Sequence, residues 1–102
     1  MSILAGARAP EYLRLRVENA EAASSPLDLT SVTAVTLEVT TSQGDRVQWD
    51  AEIETQTAEL LVIKHVFDPQ DVEFPGTYRI VITMAVPEGT RRAGPTSLLV
   101  VP

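Results

Sequence analysis

The strongest constraint lies in residues 76–86, where apolar and polar side chains alternate without a break. Tyr78, Ile80, Ile82, Met84 and Val86 fall on one side; Thr77, Arg79, Val81, Thr83 and Ala85 fall on the other. A period of two is what a β-strand imposes, because successive side chains leave opposite faces of the pleat. A helix would scatter both sets around its axis. The segment is therefore a long strand with one apolar face, and the fold must supply a second layer to cover that face.

The same signal recurs. Leu13, Leu15 and Val17 alternate with Arg14 and Arg16, and in residues 32–40 Val35, Leu37 and Val39 oppose Thr36, Glu38 and Thr40. Residues 46–50 read as a short strand with Val47 and Trp49 inward. Residues 58–67 are apolar on both parities, which fits a strand covered on both faces or one that bulges. The β-branched Val62, Ile63 and Val66 count against a helix there. Residues 96–101 form the closing strand, and residues 51–57 either continue a strand or wander. The connections are residues 18–26, the Gly44 turn at 41–45, the Pro-rich stretch 68–76 and a hairpin loop at 87–95. Residues 1–11 are small, apolar and irregular, an arm rather than a strand or a helix, leaving 12–102 as the domain. Six or seven short strands with no convincing helix predict an all-β sandwich or small barrel.

Charge narrows the partners. The chain has 102 residues, one domain's worth, and a net charge of −6. An acidic surface repels phosphate backbones and anionic headgroups, so neither nucleic acid nor a membrane is an expected partner. The first residues lack the basic flank and apolar run of a signal peptide. No stretch approaches the roughly 20 apolar residues of a membrane span. The expectation is a protein made and kept in the cytoplasm unless something carries it out. The absence of cysteine excludes disulfides and thiolate metal sites.

Few residues could carry chemistry. His65 is the only histidine, and a catalytic base needs a nucleophile beside it. It sits mid-strand with no nucleophile motif anywhere, as an ordinary strand residue. Asp50, Glu52 and Glu54 would share one strand face, a solvated acidic stripe rather than an acid–base pair or a calcium site. Asp68 and Asp71 read as turn caps bonded to the backbone. Arg91 and Arg92 form a small basic spot at a hairpin tip, able to dock on an acidic partner or to keep the tip soluble. No catalytic residue, metal ligand or cofactor site is expected, and so no enzyme.

One longer pattern is specific. Asp28-Leu29-Thr30 precedes a Val/Thr strand, a Gly turn and an aromatic strand; then come Asp71 and Phe74-Pro75-Gly76-Thr77-Tyr78-Arg79, a hairpin and an apolar strand. This arrangement over residues 27–101 resembles the immunoglobulin-like modules of bacteriophage virion proteins, in particular the N-terminal domain of the baseplate upper protein family. Asp28 would fix the turn into the strand, Pro75-Gly76 would make the corner, and Tyr78 would lock it by its hydroxyl. The resemblance implies an immunoglobulin-like β-sandwich of about seven antiparallel strands with an extended N-terminal arm. It also implies a virion location and contacts with other virion structural proteins, many copies together in a symmetric assembly. The family's domain is usually the head of a longer protein, whereas this sequence ends at Pro102. A tail, neck, baseplate or capsid accessory subunit is therefore favoured over a receptor binder. Ile3 and Leu4 on the arm would anchor into a neighbour. The rival reading is a carbohydrate- or ligand-binding sandwich, which needs exposed aromatics. Only Tyr12, Trp49, Phe67, Phe74 and Tyr78 could supply them.

Overall fold

The structure is a computed structural model and describes residues 2–18 and 29–102. Eight strands follow in chain order: β1 (Ser2–Leu4), β2 (Tyr12–Glu18), β3 (Ala34–Thr40), β4 (Arg46–Asp50), β5 (Glu52–Gln56), β6 (Leu60–Val66), β7 (Gly76–Val86) and β8 (Gly89–Val101). They make a five-stranded sheet of order β1-β8-β7-β3-β4 and a three-stranded sheet of order β2-β6-β5. Every pairing is antiparallel except β1 with β8. The two sheets pack as an immunoglobulin-like sandwich. Asp28 and residues 19–26 of the expected loop lie outside the described residues.

The alternating residues build the core. The large sheet turns Leu37, Val39, Trp49, Tyr78, Ile80, Ile82, Met84, Leu98 and Val100 inward; the small sheet answers with Leu13, Leu15, Leu61 and Ile63. Burying a side chain of this size contributes about 1.5–3 kcal/mol, so the two inner faces supply the main driving force for folding. A one-residue slip in any of these strands would turn its apolar set to water, which fixes the register.

The structure corrects or sharpens the sequence reading in several segments. The loop expected over residues 87–95 shrinks to Pro87 and Glu88, because β8 already pairs at Gly89 opposite Val86. Arg91 and Arg92 are thus strand residues opposite Met84 and Thr83, not a loop tip. The first half of β8 is exposed apart from Ala93, so no alternation of buried and exposed residues marks it. A bulge at Gly94 interrupts it; Gly94 has φ +109°, and a Cβ there would lie 3.1 Å from the Ile80 carbonyl oxygen. At the other end of the chain, Ser2–Leu4 is a strand, paired in parallel with Leu99–Val101, too short to show a period. The ambiguous stretch after Asp50 is β5, reached by a single-residue crossover at Ala51 from one sheet to the other. Val47 lies on the same face of the edge strand β4 as Trp49 but is 40% exposed, not buried. The residues before β3 form a short 3-10 turn, Leu29–Ser31, held by the Gln56 side chain, which donates to the Leu29 and Val32 carbonyls at 2.8 and 2.7 Å.

Entry into β7 is the tightest point of the backbone. The Tyr78 hydroxyl donates to the Phe74 carbonyl at 2.7 Å, closing a tyrosine corner. Gly76 has φ +130°, and a Cβ on it would meet Ser42 Cβ at 2.5 Å. Gly76→Ala should therefore lower stability by about 2 kcal/mol or more, and Tyr78→Phe by about 1 kcal/mol. Urea unfolding followed by the fluorescence of Trp49 measures both; equal stability of the Gly76 variant would contradict the corner's tightness.

Candidate functional site

Among the described residues His65 is the one polar side chain in the buried set, 3% exposed on the inner face of β6. Its Nδ1 lies 2.5 Å from the Asp50 carbonyl oxygen, an atom that only accepts, so Nδ1 carries a proton and donates it. Its Nε2 lies 2.7 Å from Asp71 Oδ2, with one proton between them. The same Oδ2 accepts the Asp68 N–H at 2.9 Å, and the Asp71 N–H bonds back to the Asp68 carbonyl at 3.0 Å. Asp71 thereby closes its own turn and ties that turn to the core.

Aromatic rings complete the cluster. Trp49 stacks on the imidazole at 4.9 Å with 9° between planes. Phe67 stands edge-on to both rings, at 5.8 Å from Trp49 and 5.5 Å from His65. Tyr78 tilts against Trp49 at 6.3 Å. Such pairings contribute about 0.5–1.5 kcal/mol each beyond simple burial. Both imidazole nitrogens are engaged, and among the described residues no hydroxyl bonds to either. The arrangement can hold the sheets together.

The pairing of His65 with Asp71 escaped the sequence reading, although a signal was present. His65 shares its parity with Leu61, Ile63 and Phe67, all buried. A histidine on an inward face needs partners for both nitrogens, and Asp68 and Asp71 are the carboxylates that follow it most closely.

The other candidates are scattered. Asp50, Glu52 and Glu54 do not share a strand face: Asp50 ends β4 in the large sheet, while Glu52 and Glu54 belong to β5, where a bulge shifts the register at Glu54. Arg14 grips Glu54 through two bonds of 2.8 Å. That bond and the Glu54 charge raise the Arg14 guanidinium's pKa above its ordinary value. Arg16 pairs with Glu18 at 2.9 Å, and the Lys64 ammonium sits 4.5 Å over the Tyr12 ring. Among the described residues no group of three or more His, Asp, Glu or Cys stands close enough to hold a metal. Among the described residues no helix is long and apolar enough to cross a membrane.

The candidate contact residues separate in the same way. Ile3 turns inward and packs on the core of its own domain, whereas Leu4 is 62% exposed on the opposite face of β1. Leu4 stands beside Val101, and Leu99 lies 46% exposed on the same face of β8. Arg92 bonds Glu38 at 3.0 Å across the outer face of the large sheet. Pro75 and Gly76 lead into β7 below the Tyr78 corner.

No protein-family model matches the chain, and no curated protein sequence matches it.

Removing either partner of the His65 cluster should destabilise the fold. Asp71→Ala leaves a ring nitrogen without its partner and the Asp68 N–H without an acceptor, and should cost about 1–3 kcal/mol. His65→Ala adds a cavity and should cost more. The double variant should fall short of the sum by at least about 0.5 kcal/mol, measured by denaturant unfolding. Strict additivity would show that the two residues act separately.

Proposed function

We propose that this domain is a structural subunit of a bacteriophage particle and acts through protein–protein contacts, in a tail, neck, baseplate or capsid accessory position. The observation that carries the reading is the exposed edge at β1. This three-residue strand leaves one side open, with Leu4, Leu99 and Val101 together on its outer face. An unpaired edge beside exposed apolar side chains accepts a neighbouring chain, by strand addition or by burial of that face. The tyrosine corner of Phe74 and Tyr78 is the same feature on which the resemblance to virion modules rests. The carbohydrate-binding alternative is less well supported, since Trp49, Phe67 and Tyr78 are buried and Tyr12 and Phe74 alone remain at the surface.

Mass spectrometry of purified particles that encode this chain should find it at a fixed stoichiometry; its absence from them would overturn the proposal. Leu4→Asp should leave thermal stability within about 0.5 kcal/mol of the parent, because the side chain is already in solvent. The same variant should lower incorporation into particles. Full incorporation of Leu4→Asp would remove β1 from the contact.

A further inference from the structure

The outer face of the large sheet carries charges that the fold does not use. On the small sheet each basic residue has a partner: Arg14 has Glu54, Arg16 has Glu18, and Lys64 has the Tyr12 ring. On the outer face of the large sheet Arg92 has Glu38, but Arg46 and Arg79 have no partner among the described residues. The register sets these two on either side of Thr40, which pairs with Arg79 on β7 and with Arg46 on β4. Two strand spacings separate them, roughly 10 Å between backbones, and both side chains leave the same face. A cleft of about 490 Å³ opens between them, lined also by Glu38 and Gln48. Two free guanidiniums flanking a hydroxyl, on a chain of net charge −6, form a receptor for anions.

We infer that this cleft binds carboxylate side chains presented by a loop of a partner protein, held by Arg46 and Arg79 with Thr40 and Gln48 between them. A guanidinium matches a carboxylate with two parallel N–H···O bonds, and the Thr40 hydroxyl and Gln48 amide can donate to the remaining lone pairs. Charge selects the class of partner. A duplex-binding surface neutralises about six to ten phosphates, whereas two cations are free here and Glu38 stands among them. Two free guanidiniums are too few for a long polyphosphate, and they match in number a loop that presents one or two carboxylates. The inference rests on the reading that the domain works by protein contact. It is independent of whether the contact occurs in a particle.

The test is a titration of the full ¹⁵N-labelled chain with a hexaglutamate peptide, with hexaglutamine, inorganic phosphate and a ten-nucleotide single-stranded DNA as parallel arms. Amide shifts should move at Thr40, Arg46, Gln48 and Arg79 with hexaglutamate alone. The variant with Arg46→Gln and Arg79→Gln should bind at least about 10-fold more weakly at low salt. Arg16→Gln, on the opposite sheet, should bind as the parent does. No shift at these residues, equal shifts with hexaglutamine or phosphate, or tighter binding of the DNA would each overturn the inference. Particle incorporation reads the proposed function separately, so loss of peptide binding with incorporation intact would discard the cleft and keep the subunit.

Discussion

A buried imidazole must find a hydrogen-bond partner for each ring nitrogen, and meeting that requirement for His65 draws together otherwise separate parts of the chain. Nδ1 reaches the backbone of Asp50, the last residue of β4. Nε2 reaches Asp71, which has first to fold its own turn back over Asp68. Trp49 of the large sheet lies flat on the ring, and Phe67 and Tyr78 close around that pair. An unpaired buried polar group would cost about 1–3 kcal/mol, so the loop, the crossover at Ala51 and the sheet-to-sheet contact are coupled to one side chain. In a chain without cysteine, no disulfide can join the sheets, and this cluster is a non-covalent link between them.

The same closure sends function outward. Both ring nitrogens of His65 are engaged within the fold, so the cluster holds the sheets together. What remains is the surface, and its two sheets differ. The small sheet is electrostatically self-contained, with its cations paired to acids or set over Tyr12. The large sheet exposes apolar side chains at its β1 edge and two unpaired arginines toward its β4 edge. A sheet with free edges and unused charge is suited to contact with other chains.

The sequence reading was most reliable where one face was buried and the other wet. Alternation located β2, β3 and β7, and Gly-Thr-Tyr located the corner, because each pattern reports local geometry alone. It failed where a strand has no regular buried face. Residues 89–93 are exposed apart from Ala93, so their polar run looked like a loop although each of them pairs with β7. Ser2–Leu4 was missed because three residues cannot establish a period, and parallel pairing to the far end of the chain leaves no local mark. Asp50, Glu52 and Glu54 seemed to share a face because nothing in their spacing reveals a change of sheet at Ala51. The partner of His65 was hidden for a related reason. Parity shows that a side chain points inward, but the carboxylate that meets it is placed by a turn.

The central claim is that the His65 cluster couples the two sheets into one cooperative unit. Native-state amide hydrogen exchange tests it most directly, because it reads the opening free energy of each strand separately. The account predicts that the slowest amides of β3, β6 and β7 open together, at the free energy of global unfolding. If instead the β2-β6-β5 sheet exchanged as a separate, weaker unit while β7 and β3 stayed protected, the cluster would not be what joins the sheets, and the claim would fail.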